Sequence, residues 1–287
     1  MKIIQQQFKS LAVLGLAAAL TGCGTMADPT SWWEEEAGPQ PAELVDLDSQ
    51  VQPRELWSRD TGDGSAGQYL GLAPMVSGDR VYLADANGEV SALSAGNGRQ
   101  QWEIKLEDEL TGGPGAGEGL VLVGNAEGQV VALDAANGTE RWRVQLSSEV
   151  LSAPAVSNGV VVARTGDGQV YGLNVTDGKQ RWRVGRDVPV LTLRGNAAPV
   201  ISNGRALVGL EGGRLLSVDV TSGRAVWETV VTVPSGRSEL ERVADLDGSP
   251  LVQNRTVYVA SYQGEVAALG EASGNRIWQH KLSSYNG

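Results

Sequence analysis

Few residues in this chain are equipped for covalent or metal chemistry. Among 287 residues there is one cysteine, Cys23, and one histidine, His280. A lone thiol makes no internal disulfide and no cysteine-rich zinc centre. A lone imidazole leaves no pair of histidine ligands and little scope for a nucleophile–base–orienter set. His280 follows Trp278 at the start of a linker and reads as a surface residue. Asp134, Asn174 and Asp219 recur at equivalent places. Recurrence assigns them to turn capping rather than to one active site. The turns at Asn87-Gly88 and Asp167-Gly168 suggest calcium, but no segment has the spacing of an EF-hand loop. No catalytic residue, cofactor site or metal site is therefore expected. A net charge of −11 without a basic stretch argues against nucleic acid as a partner.

The one reactive side chain sits in an informative place. Lys2 and Lys9 precede an apolar run, Leu11–Leu20, that is too short to span a bilayer stably. A basic start, a short apolar run and small residues read as a signal peptide over 1–22. The sequence Leu20-Thr21-Gly22-Cys23 resembles the lipobox of bacterial lipoproteins, in which cleavage precedes acylation of the cysteine. By that resemblance Cys23 is the lipid-anchoring residue, and Gly24, in place of an Asp, favours the outer membrane. Loss of residues 1–22 leaves 21 bases against 34 acids, a net of −13. Residues 23–53, with Asp28-Pro29 and Pro39-Gln40-Pro41, show no sustained period and read as a lipidated N-terminus and flexible tether.

What positions any remaining functional residues is a repeat. Trp102, Trp142, Trp182, Trp227 and Trp278 each have a Gly 14 residues before and another 4 residues before. Each unit opens with a proline: Pro74, Pro114, Pro154, Pro199 and Pro250. From Pro154 the strands read as Ala155–Ser157, Val160–Arg164, Gln169–Asn174 and Gln180–Val184, separated by turns at Asn158-Gly159, Asp167-Gly168 and Asp177-Gly178. Four antiparallel strands in about 40 residues, repeated, describe a β-propeller blade. The fold class is thus all-β, a propeller of four-stranded antiparallel blades over 54–287. The repeated Trp is expected to fill the gap to a neighbouring blade. Trp57 looks like a further fourth strand lacking three partners, so the chain holds five complete blades and one orphan strand, with C-terminal blades absent.

The links between blades are unequal. From each Trp to the next Pro the distances are 17, 12, 12, 17 and 23 residues. The last two exceed the shortest link by 5 and 11, at adjacent junctions on one face. Insertions on one face of a repeat array commonly mark a binding face. In the first insert Leu191 and Leu193 alternate about Thr192 as in an extended strand, followed by Arg194; the second carries Asp245 and Asp247. Two leucines and an arginine beside a carboxylate-rich loop suit protein contact. Equally, the leucines cover the core and Arg194 pairs with Asp245 or Asp247.

The run Ala132-Leu133-Asp134-Ala135-Ala136-Asn137-Gly138-Thr139-Glu140-Arg141-Trp142 resembles the tryptophan-docking repeat of quinoprotein dehydrogenases. Those enzymes bind pyrroloquinoline quinone with a vicinal disulfide and an acidic calcium set, and a chain with one Cys departs from that pattern. With the lipobox and the inserts Pro189–Gly195 and Arg237–Asp247, the chain as a whole resembles the BamB family, eight-bladed propeller lipoproteins of the outer-membrane β-barrel assembly complex. The resemblance implies a non-catalytic scaffold on the outer membrane, facing the periplasm. It implies partner contacts from Leu191, Leu193, Arg194, Asp245 and Asp247 to the periplasmic POTRA domains of BamA. Other BAM subunits, and unfolded outer-membrane protein clients paired along a strand edge, are the further partners it suggests. A quinone-dependent dehydrogenase and a lipoprotein binding another cell-envelope ligand are the alternatives.

Overall fold

The computed structural model describes residues 51–60, 62–185, 188, 191–195, 197–238, 240, 242–262 and 265–281. Cys23 and the rest of 1–50 lie outside these, as do Pro189 and Val190. Contacts divide the chain into Met1–Arg54 and Glu55–Gly287, and every strand belongs to the second unit.

The described residues form strands and turns only. A short strand β1 (Gly71–Leu72) precedes the first blade, which comprises β2 (Met75–Ser77), β3 (Arg80–Ala84), β4 (Glu89–Ser94) and β5 (Gln100–Lys105). The second blade is β6 (Leu110–Gly117), β7 (Leu120–Asn125), β8 (Gln129–Asp134) and β9 (Glu140–Gln145). The third is β10 (Ala155–Ser157), β11 (Val160–Arg164), β12 (Gln169–Asn174) and β13 (Gln180–Gly185). The fourth is β14 (Val200–Ser202), β15 (Arg205–Leu210), β16 (Arg214–Asp219) and β17 (Ala225–Val230). The fifth is β18 (Leu251–Gln253), β19 (Thr256–Ser261), β20 (Glu265–Gly270) and β21 (Arg276–Lys281). Each blade is one sheet in sequential order, and β1 joins the second by pairing in parallel with β6. The four third-blade strands match the sequence reading to within one residue.

The core lies between sheets. Successive side chains of a strand point to opposite faces, so each inner strand feeds two cores. Leu120 and Leu122 of β7 pack with Val161 and Ala163 of the third blade, while Val121 and Val123 pack with Val90 and Trp102 of the first. Val160 and Val162 of β11 turn the other way, onto Ala206 and Val208. Inner strands buried on both faces therefore read as apolar runs, while outer strands such as β9 alternate buried with exposed.

The repeated Trp joins one blade to the next by a constant device. Each lies opposite a small residue of the third strand (Ala92, Ala132, Gly172, Ser217 or Ala268), with a register shift immediately after. The indole Nε1 of Trp102 donates to the Ala135 carbonyl at 3.0 Å, Trp142 to Val175 at 2.9 Å, Trp182 to Val220 at 2.8 Å and Trp227 to Glu271 at 3.0 Å. Three residues past each acceptor is a glycine of positive φ: Gly138, Gly178, Gly223 and Gly274. A Cβ there would lie 2.5–2.7 Å from the incoming indole. Only glycine serves both the left-handed turn and the ring's close approach.

Trp57 uses the same device on the first blade, donating to Ala95 O at 2.9 Å beside Gly98. Arg54–Ser58 nevertheless forms no strand, because no third strand pairs with it among the described residues. His280 is exposed but lies within β21, not in a linker. Asp134, Asn174 and Asp219 cap turns as expected: their Oδ1 atoms accept from the backbone N–H of Ala136, Thr176 and Ser222 at 2.8, 3.1 and 2.8 Å.

Candidate functional site

The links leave each blade beside the turn between its second and third strands. The N–H groups of Leu106, Leu146 and Val231, each four residues past a Trp, donate to the carbonyls of Gly88, Gly128 and Gly213 in those turns. Both long links therefore share a face with the turns of the third, fourth and fifth blades. This fits the placement inferred from link lengths and blade connectivity.

In the first insert, Leu191 is 43% exposed, Thr192 and Leu193 are half-buried and Arg194 is exposed. Residues 191–195 do not pair as a strand, contrary to the alternation read from sequence. The reason is lateral: the Leu193 N–H is taken by a side chain, donating to Asp245 Oδ2 at 2.7 Å. Asp245 is 3% exposed and accepts a second bond at Oδ1, from Gly212 N–H at 2.8 Å. Its own carbonyl accepts from Tyr262 N–H at 2.9 Å. One buried aspartate thus ties the first insert to turns of the fourth and fifth blades.

Arg194 pairs with neither Asp245 nor Asp247. Its guanidinium meets Glu149 Oε2 at 2.7 Å, on the link between the second and third blades. Asp245 already has two amide donors, so Glu149 takes the ion pair. The pair is solvent-facing and contributes at most about 1 kcal/mol; its role is to orient the side chain. Beneath it, Arg164 on β11 and Glu211 form a buried ion pair. Gly195 is wedged between these layers, where an added Cβ would lie 2.9 Å from Asp247 Oδ1 and 3.2 Å from Arg164 Nη1.

Six charged groups therefore crowd this face: Arg164 and Arg194 against Glu149, Glu211, Asp245 and Asp247. The surplus is negative. Burial pushes the Asp245 carboxyl up, opposed by the two amide donors. Burial, with the neighbouring Asp245 charge, pushes Asp247 up to about 6. The second long link leaves Val233 and Leu240 exposed and buries its own Val243 and Leu246.

Glu149, Arg164 and Glu211 escaped the sequence reading. A signal was present for one: Arg164 ends an otherwise apolar inner strand, Val160–Arg164, where a charge must find a buried partner. Glu149 sits on a link of ordinary length and carries no such mark.

Fold and site together define a protein of repeated four-stranded blades whose two long links meet on one face, with no group of three or more potential metal ligands among the described residues. The family model for "Outer membrane protein assembly factor BamB" matches residues 41–108 and 86–287. The chain belongs to this family. The protein of that name from Pseudomonas aeruginosa is 52% identical over 281 residues, covering 98% of this chain and 72% of its own length. That from Alkalilimnicola ehrlichii is 51% identical over 245 residues, covering 85% and 64%. The crystal structure of BamB from Moraxella catarrhalis superposes with a TM-score of 0.68 at 31% identity, covering 75% of this chain and 65% of that one. The chain thus spans about two thirds of the length of these proteins. A europium-containing methanol dehydrogenase, at 14% identity and a TM-score of 0.59, shares the fold alone.

Proposed function

We propose that this chain is a non-catalytic scaffold of the outer-membrane protein assembly machinery, held on the outer membrane by lipid at Cys23. Its relatives carry the name of an outer-membrane protein assembly factor. The observation that carries the site is the Leu191–Arg194 segment, which offers an exposed leucine and arginine on a backbone fixed by Asp245. A preorganised arginine beside an exposed apolar side chain suits a protein contact, arginine being enriched at the centres of such contacts. Leu191, Leu193 and Arg194 would touch the partner, taken here as the POTRA domains of BamA. Asp245, being buried, would act by holding Leu193 in place, and Asp247 by setting the charge beneath. Other subunits of the same machinery would be gathered through that partner. Unfolded clients pairing along an exposed strand edge would be a weaker secondary contact.

Affinity purification from detergent-solubilised envelopes tests the reading. Leu191→Glu or Arg194→Glu is expected to lose BamA while the fold is retained, and undiminished recovery would remove the site. Cys23→Ala is expected to release the protein to the soluble periplasmic fraction. The signal at 1–22 and the tether at 23–53 belong to the same proposal.

A further inference from the structure

Under the first insert lies a cavity of about 200 Å³, lined by Ser152, Arg164, Thr165, Thr192, Arg194 and Glu211 among others. Arg164 is only 5% exposed. Its Nη2 donates to Glu211, while Nε and Nη1 have almost no accessible surface and no acceptor among the described residues, so a docking group reaches them through the side-chain shift common at interfaces. Leaving donors of a buried charged group unmade is costly. Native proteins rarely tolerate this without use. The volume falls below the roughly 300–1,000 Å³ of small-molecule pockets, so the space suits one side chain or a loop tip.

Charge narrows the ligand. Arg164 with Glu211, and Arg194 with Glu149, form neutral pairs. Asp245 and Asp247 make no ion pair among the described residues and leave the region with surplus negative charge. An incoming carboxylate would add to that surplus, whereas a neutral oxygen would meet the guanidinium donors without it. We propose that this cavity is a socket for an amide carbonyl oxygen, from the main chain or from an Asn or Gln, on a partner loop that docks over Leu191 and Arg194. This rests on the contact face proposed above and extends it inward from the surface to Arg164.

The test uses detergent-solubilised full-length protein and purified POTRA domains of BamA, with dissociation constants measured by titration calorimetry. Arg164→Met combined with Glu211→Met removes both charges together and avoids a lone buried charge. Ser152→Leu fills the space and leaves Arg164 in place. Each is expected to weaken binding about tenfold, the effect of losing a hydrogen bond to a charged group, with the β-sheet circular dichroism retained. Leu191→Glu is the reference. Wild-type affinity in both socket variants, while Leu191→Glu loses binding, overturns the socket and leaves the face. Wild-type affinity in Leu191→Glu overturns the face and the socket with it. Should the double variant fail to fold, Ser152→Leu decides alone.

Discussion

Asp247 shows how a single side chain couples this face to pH. Its carboxyl titrates near 6, against 3.8 for an ordinary aspartate. The folded state therefore holds the proton more tightly than the unfolded state, and this contribution is complete below about 3.8 and lost as pH rises through 6. Asp245, raised in the same direction, adds to it. Asp134, Asp177 and Asp219 act oppositely, since hydrogen bonds from Arg141, Lys179 and Ser222 lower their pKa values, and they weaken only in stronger acid. The melting midpoint is accordingly expected to rise as pH falls from 7.5 to 5. Asp247→Asn should raise the midpoint at pH 7.5 and flatten that rise. A midpoint that falls steadily over the same interval in the wild type would contradict this assignment.

At the scale of the element, the indole and its glycine set blade-to-blade stability. Trp142 is buried, packs on Gly178 and donates to Val175. Trp142→Ala is expected to cost about 3–5 kcal/mol in urea unfolding. Trp278 is 37% exposed and packs on Tyr258 at 6.0 Å, so Trp278→Ala should cost much less. Gly178→Ala, at φ +68° and with the added Cβ 2.6 Å from the Trp142 ring, should destabilise by more than about 1 kcal/mol although it adds only a methyl group. Equal losses at Trp142 and Trp278 would refute the docking scheme. These elements were legible in the sequence because their causes are local: a Gly at a fixed offset from each Trp, and Asn-Gly or Asp-Gly at the turns. The length of the links likewise revealed which face carries the inserts. What was not legible depends on residues distant in the chain. Nothing near Asp245 announces that it will be buried and hold Leu193, 52 positions away. Nothing near Glu149 announces Arg194, and an acidic surface link is the commonest sort of link. The strand expected over Leu191–Leu193 failed for the same reason: alternation of residue types fixes a strand only where a neighbouring strand takes its backbone hydrogen bonds.

Across the whole molecule, every join between described blades follows one polarity. Each blade presents an indole forward and a receiving glycine backward, and the rings of Trp57, Trp102, Trp142, Trp182 and Trp227 are passed along the chain in order. Because each fit is nearly the same, the parts are interchangeable. Trp102 and Trp142 are 40 residues apart, as are Trp142 and Trp182. Deleting residues 103–142 would bring Trp102 to the place of Trp142, facing Gly178, with Trp57, Trp182 and Trp227 still matched to Gly98, Gly223 and Gly274. Deleting 103–122 would leave a mismatched half. The first deletion is expected to retain a cooperative thermal transition and β-sheet circular dichroism, and the second to lose both. A gene for such a chain can lengthen or shorten by unequal recombination at this one step size and still encode a protein that folds.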